Sequence, residues 1–349
     1  MMATLLAALL LLPLCVHCRF HKRHNISVVI CDFFKPPPLG LLVQPEGRLL
    51  HKEEIELRQA VLENHRRYAL SHHYHYYRHN FSDKDHLINL HLSGRGHSVS
   101  IGHGAARVHK NAVSKHNTYH WFKLPLIKAL FGAPYNHDFV LYIDSDAIFV
   151  DMGISIFDIL EQNRVFSGRS TIAQFAFSGD VSAAINSGVM LLRNSRWTRS
   201  MLDDVSRFGE LLETTHSAET IGMGGDNAAF LVYMGGCNAS DASQSIAVLR
   251  SCFEKVNIAF NVETNAVDRD MALKIAEADM EVYEKMVSAE ILDHLAVLPQ
   301  RQFNSFDLEK ALFVAHMSLS RKRGRDERRE RLAQALAAVR PAKPASVAV

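Results

Sequence analysis

Short unbroken apolar runs alternate along this chain with longer stretches of helical spacing. Ile26 to Phe33 (ISVVICDF) predicts a first buried strand. Lys35 to Leu50, with three consecutive prolines and with Gly40 and Gly47, reads as a loop or disordered insert. From Glu53 to about Tyr77 the spacing of Ile55, Leu57, Val61, Leu62, Tyr68 and Leu70 predicts a helix. Gly94 to Ser114 is polar and Gly-rich, so it reads as loop, and Thr118 to Phe131 reads as a second helix kinked at Pro125. Asp138 to Ile143 (DFVLYI) is a continuous apolar strand ending at Asp144, followed by a short helix over Ile154 to Gln162. Ser187 to Leu192 is another buried strand, and Trp197 to Leu212 and Asp226 to Tyr233 are helical. Ala266 to His294 is a long charged amphipathic segment, with short strands at Leu295 to Leu298 and Leu312 to Ala315. From Arg321 the chain is a basic helical tail ending in a Pro/Ala stretch. Strands alternating with helices indicate an α/β fold, a mostly parallel central sheet flanked by helices.

With 349 residues, 48% of them hydrophobic, the chain can bury a large core. Its 39 basic residues nearly balance 37 acidic ones, for a net charge of +2, so nothing calls for nucleic acid as a partner. Residues Ala3 to Cys18 form an apolar run that reads as a signal peptide over 1–18 or a short signal anchor; a mis-called start codon is the third reading. All three agree on the secretory pathway, and the segment allows contact with a Golgi or ER membrane as a single-pass type II protein. Asn25, Asn80 and Asn238 each begin a glycosylation triplet. Of the cysteines outside the targeting segment, Cys237 and Cys252 are predicted to pair, with Cys31 leaving other pairings open. No CxxC pair supports a zinc site.

Candidate chemistry concentrates at four places. In DFVLYIDSDAIFVDM a buried strand runs into Asp144-Ser145-Asp146 and straight back into apolar residues. Ligands of open α/β sheets bind at the carboxyl ends of strands, and carboxylates two positions apart share one side of an extended chain. Burying both is costly unless a cation compensates, and Mg²⁺ or Mn²⁺ bridging to a diphosphate would do so; a solvated turn is the alternative. Asn186-Ser187-Gly188 opens a buried strand, where Gly188 lets a ligand approach the backbone; an ordinary loop junction reads equally well. Asp226, after Gly224-Gly225, either caps a helix or faces sugar hydroxyls. His316 ends the run Phe313-Val314-Ala315 and is either a packed histidine or a third metal ligand. The stretch His72 to His79 reads as surface or packing residues at a helix end, ahead of metal buffering. The charges of Arg321 to Arg331 read as a solvated helix face, ahead of a contact with acidic membranes or RNA.

The order of these motifs carries a resemblance. Asn64-His65-Arg66-Arg67-Tyr68-Ala69, His73-Tyr74, Trp121-Phe122-Lys123, Tyr142-Ile143-Asp144-Ser145-Asp146-Ala147, Asn186-Ser187-Gly188, Gly225-Asp226-Asn227, Pro299 to Ser305 and His316 follow one another. Over roughly residues 26 to 321 the series resembles the galactosyl/xylosyltransferase family that includes fungal α-galactosyl- and mannosyltransferases and plant xyloglucan xylosyltransferases. The resemblance implies a GT-A (Rossmann-like) nucleotide-diphospho-sugar transferase fold over 24–321, with a loop insert at about 35–50 and a longer segment at about 236–294; beyond it the residues read as a basic helical, partly disordered tail over 322–349.

It also implies a Mn²⁺ (or Mg²⁺) ion, a nucleotide-diphosphate sugar donor such as UDP-galactose or UDP-xylose, a glycan acceptor, and transfer with retention of configuration in the Golgi or ER lumen. Asp144, Asp146 and His316 inherit the metal. Asp226 and Asn227 inherit the pair near the reacting sugar. Ser145, Asn186 and Gly188 line the donor site, and Arg321 closes over the diphosphate. Asn227 stands where the family has Gln, and Leu319 where it has glycine. A catalytically inactive lumenal protein that binds glycan or nucleotide sugar is the alternative, and a glycogenin-like GT-A family a further one.

Overall fold

A computed structural model describes residues 26–32, 52–80, 88–92, 98–101, 121, 123–167, 172–180, 183–214, 226–237, 246–256, 260–261, 266–316 and 325–341. Strand β1 (Ile26–Asp32) sits inside an eight-stranded sheet with β2 (His75–Asn80), β3 (Ile88–Leu92), β4 (Ser98–Ile101), β5 (Phe139–Ile143), β7 (Phe175–Asp180), β8 (Ala183–Arg193) and β11 (Leu295–Leu298), in the spatial order β11-β7-β8-β5-β1-β2-β3-β4. β1 pairs in parallel with β2 and β5, and β11 with β7. β8 is antiparallel to β5 and β7, and β3 to β2 and β4. Six of the eight strands therefore run one way, and β3 and β8 the other. Two smaller ladders, β6 (Ala147–Phe149) with β12 (Val314–His316) and β9 (Phe260–Asn261) with β10 (Ala266–Val267), complete the strands among the described residues. The helices are α1 (Lys52–Ser71), α2 (Lys123–Phe131), α3 (Ile156–Ser167), α4 (Arg196–Thr214), α5 (Asp226–Met234), α6 (Ile246–Val256), α7 (Arg269–Ala276), α8 (Met280–Met286), α9 (Ala289–Leu292), α10 (Gln300–Phe303) and α11 (Arg325–Ala337).

Unbroken apolar runs in β5 and β8 follow from burial on both faces, since alternate side chains of a strand point to opposite sides. Val140, Tyr142, Met190 and Leu192 enter one core, with Leu124 and Ile127 of α2 and Phe230 of α5. Phe139, Leu141, Ile143, Val189 and Leu191 enter the other, with Tyr68 and Ala69 of α1. This is the α/β architecture, mostly parallel and flanked by helices, that the resemblance implies.

Several elements differ from expectation. The first helix stops at Ser71 rather than near Tyr77. Tyr74 N–H bonds the Ala69 carbonyl (2.8 Å), His73 N–H bonds that of Leu70 (3.1 Å), and His73 takes φ +58°. That is a Schellman stop with histidine where glycine is usual. The histidine-rich stretch then becomes β2, whose Tyr76 and Tyr77 are buried. The second helix is described over Lys123–Phe131. Pro125 falls in its first turn, where a backbone N–H has no intrahelical partner to lose. Part of the polar Gly94 to Ser114 stretch forms β4. Ala266 to His294 breaks into the β10 strand and the helices α7, α8 and α9. The tail helix α11 is not solvated all round: Leu332 and Ala335 are buried against Val61, Ile148 and Ala315. Arg340 N–H then bonds the Val150 carbonyl (2.7 Å), and Met152 N–H that of Arg340 (3.0 Å). The N-terminal segment 1–18, the insert at 35–50, and Leu319 and Arg321 lie outside the described residues.

Cys237 and Cys252 form the expected disulfide, Cα to Cα 5.9 Å, tying the end of α5 to α6. Closing a loop of this length contributes about 3 kcal/mol in the chain-entropy model. The Cys237→Ser, Cys252→Ser protein is expected to lose about that much stability in urea unfolding, with insensitivity to reductant as the control.

His65 is fully buried, and desolvation pushes its pKa down to about 4, outweighing the Ala147 carbonyl it bonds and the charge of Asp146. Unfolded, it takes up a proton near pH 6.5. Between about 6.5 and 4 the unfolded state therefore binds the extra proton, and stability falls as pH falls, by about 1.4 kcal/mol per pH unit. Above that window the group contributes no pH dependence. Urea midpoints measured from pH 7 to 5 should drop for the native protein and drop less for His65→Gln, which keeps a donor for Ala147.

Candidate metal centre

The site begins where β5 ends. β5 and β8 pair Ile143 with Val189, so Asp144 comes opposite Gly188, and Asp144 N–H bonds the Gly188 carbonyl (2.7 Å). After the Asp144-Ser145-Asp146 turn the chain enters β6, which leaves the main sheet and pairs with β12, setting Ala147 opposite His316. The other edge of β6 is satisfied by side chains of α1. Asn64 gives its amide N–H to the Phe149 carbonyl (3.0 Å) and accepts the Phe149 N–H (2.9 Å). His65 Nε2 lies 2.6 Å from the Ala147 carbonyl, to which it donates. β12 is steadied in turn by Ser305, whose carbonyl accepts the His316 N–H (2.7 Å).

These constraints bring Asp144, Asp146 and His316 together, with ligand atoms all within 4.8 Å of one another. His316 Nε2 is 3.2 Å from Asp146 Oδ1 and 3.8 Å from Asp144 Oδ2. The imidazole is buried, while the carboxylates keep side-chain exposures of 28% for Asp144 and 13% for Asp146, which leaves the cluster open on one side. Tyr142 donates its hydroxyl to Asp144 Oδ1 (2.6 Å). Two oxygen donors and a nitrogen in this compass suit Mn²⁺, or Mg²⁺ through the carboxylates. Gly188 supplies the room. A Cβ there would stand 2.2 Å from His316 Cε1 and 2.8 Å from Asp144 Oδ2. The glycine expected to admit a ligand admits the ligand-bearing side chains themselves.

The other expected residues lie alongside. Asn186 accepts the Gly188 N–H (2.8 Å) and so shapes that turn. Ser145, partly exposed, sits in the turn between the aspartates. Asp226, at the start of α5, is buried and accepts bonds from Ser187 Oγ and from Lys123 Nζ (2.6 Å). Asn227 Oδ1 accepts the Ser187 N–H (2.9 Å). Arg321 is outside the described residues, so its place over a diphosphate rests on the resemblance alone.

Sequence reasoning gave no role to Lys123, Asn64, His65 or Tyr142. Lys123 stood in one of the ordered motifs, directly after an aromatic pair and at the head of an apolar helix.

Comparison with known proteins bears on this geometry. Over 97 residues the chain is 33% identical to Glycosyltransferase 6 of Arabidopsis thaliana, covering 27% of this chain and 22% of that protein. It is 32% identical to Putative glycosyltransferase 7 of the same plant over 129 residues, 36% of this chain and 28% of that one. Both of these carry the name glycosyltransferase. A third, Galactomannan galactosyltransferase 1 of Cyamopsis tetragonoloba, is 28% identical over 152 residues, 40% of this chain and 33% of that one. In each case the match spans a third or less of the curated relative. No protein-family model matches the chain. A solved glycosyltransferase involved in glycosylation of the PBCV-1 major capsid aligns over 89% of this chain and 99% of its own, at 12% identity and a TM-score of 0.40, too distant to bear on the chemistry.

Gly188→Ala is the sharpest test of this packing. The atoms a methyl would meet belong to side chains that can swing away, so the fold should survive while His316 leaves the cluster. Calorimetry is expected to show Mn²⁺ affinity at least tenfold weaker, with the melting temperature changed by only a few degrees.

Proposed function

We propose that this protein is a metal-dependent glycosyltransferase that moves a hexose or pentose from a nucleotide-diphosphate sugar to a glycan hydroxyl, with retention of configuration. The observation that carries this reading is the Asp144, Asp146, His316 cluster at the carboxyl end of a central strand, the place where ligands of open α/β sheets bind. Relatives named as glycosyltransferases support the reaction class, and a galactosyltransferase among them supports UDP-galactose as a donor ahead of UDP-xylose. A bound divalent ion would act as a Lewis acid on the departing diphosphate.

The chain's own residues divide the remaining work. Asp144, Asp146 and His316 hold the ion, and Tyr142 orients Asp144. Asp226 and Asn227 stand beside it, the pair assigned to the reacting sugar. The disulfide supports an oxidising compartment, hence the Golgi or ER lumen. Among the described residues no helix is long and apolar enough to cross a membrane.

One observation favours the alternative of an inactive binder. Asn227 commits its carbonyl oxygen to the Ser187 backbone, and Asp226 is buried under Lys123, so both are engaged within the protein. A panel of nucleotide sugars with Mn²⁺, read as nucleotide released, separates the readings: a transferase hydrolyses its donor slowly even without acceptor, whereas a binder releases none. Asp146→Ala should abolish both that release and Mn²⁺-dependent UDP binding while leaving the circular dichroism spectrum unchanged. Unaltered UDP affinity in that variant would overturn the metal-dependent reading.

A further inference from the structure

Lys123 is a buried ammonium, with a side-chain exposure of 2%, in a site that gathers three carboxylates. Its Nζ lies 2.6 Å from Asp226 Oδ2 and 4.0 Å from Asp144 Oδ1. It also donates to the carbonyl and the hydroxyl of Ser187, both at 3.1 Å, and sits 4.7 Å from the centre of the Tyr142 ring, over its face. Ser187 in turn donates its hydroxyl to Asp226. The lysine comes from the first position of α2, the aspartate from the first of α5 and the serine from β8, so three separate segments meet at one charge.

We propose that Lys123 is a positioning residue that divides the acidic site in two. It draws Asp226 into an ion pair and keeps that carboxylate out of the metal's ligand set, so that the ion is confined to Asp144, Asp146 and His316 and Asp226 is held fixed beside it. The physical basis is the charge balance. Three carboxylates converge here, and without a cation beside Asp226 the lowest-energy place for a divalent ion would be among all three. The arrangement has a consequence that a purely structural lysine would not have. A like charge 4.0 Å from a ligand oxygen weakens cation binding, so wild-type affinity is held below what the carboxylates could deliver. Tight binding is given up for a fixed geometry at the reacting sugar.

This inference rests on the transferase reading, and its test separates the two. Lys123→Met keeps the length and volume of the side chain and removes the charge. Mn²⁺ affinity of the nucleotide-free protein, by calorimetry, is expected to rise about tenfold, the size of a divalent–monovalent repulsion at roughly 6 Å in a water-like dielectric. Turnover of the nucleotide sugar should fall at least a hundredfold in kcat with little change in its KM. The double variant Lys123→Met, Asp226→Asn restores the charge balance. Its Mn²⁺ affinity should return to within about threefold of wild type while turnover stays lost, and it provides the readout should the single variant fail to fold. Weaker or unchanged Mn²⁺ affinity in Lys123→Met, together with a lower melting temperature and normal kcat per folded molecule, would show an ordinary structural ion pair and overturn the proposal. Wild-type protein that binds no Mn²⁺ would instead remove the metal centre and the transferase reading with it.

Discussion

The turn carrying Asp144 and Asp146 is held from both ends by backbone hydrogen bonds, and the site depends on that restraint. On one side Asp144 is locked to Gly188 by the β5–β8 ladder. On the other, Ala147 starts a three-residue strand too short to be stable alone, and it persists because β12 takes one of its edges and Asn64 and His65 take the other. Two carboxylates brought this close repel each other, and a flexible turn would relieve the repulsion by moving them apart. Rigid anchoring keeps them converged, so that a cation would meet a ready-made set of ligands.

The same logic explains why small and polar side chains cluster at the head of β8. A glycine is required where His316 and Asp144 press against the backbone, and Asn186 secures the glycine's N–H. Ser187, one residue before, donates its hydroxyl to Asp226 and its backbone N–H to Asn227 Oδ1. Three consecutive residues thus serve the metal cluster and the carboxylate beside it from a single strand end. That is an economical way to fix the spacing between two groups contributed by distant parts of the chain.

Local signals in the sequence were enough for the strands that bury both faces and for the Asp-Ser-Asp turn, because apolar continuity and its interruption are properties of adjacent residues. β2 was not legible: its tyrosines and histidines continued the apolar spacing of α1, and the helix stops at a histidine in a left-handed conformation that no glycine announced. β6 was not legible as a strand either, since what stabilises three residues is a helix some eighty positions earlier and a strand about 165 positions later. Lys123 belonged to a motif in the right order, but its role depends on Asp226, more than a hundred residues away, and appears only when α2 and α5 are brought to the same strand end.

Distance along the chain also bears on what similarity to other proteins can convey. The residues that build and brace the centre run from Asn64 to His316, a span of about 250 positions, while the regions matched in the glycosyltransferases cover 97, 129 and 152 residues. No such match can contain the whole constellation. The structure itself brings the parts together: a helix from the first third of the chain, a lysine from α2 and a histidine from β12 all converge on one turn. Convergence of that many separate segments on two aspartates is costly to maintain for a turn that merely faces solvent, because each buried polar group must find its partner. A bound cation would give that arrangement a purpose, and the glycine hollow beneath it gives the three side chains room to meet.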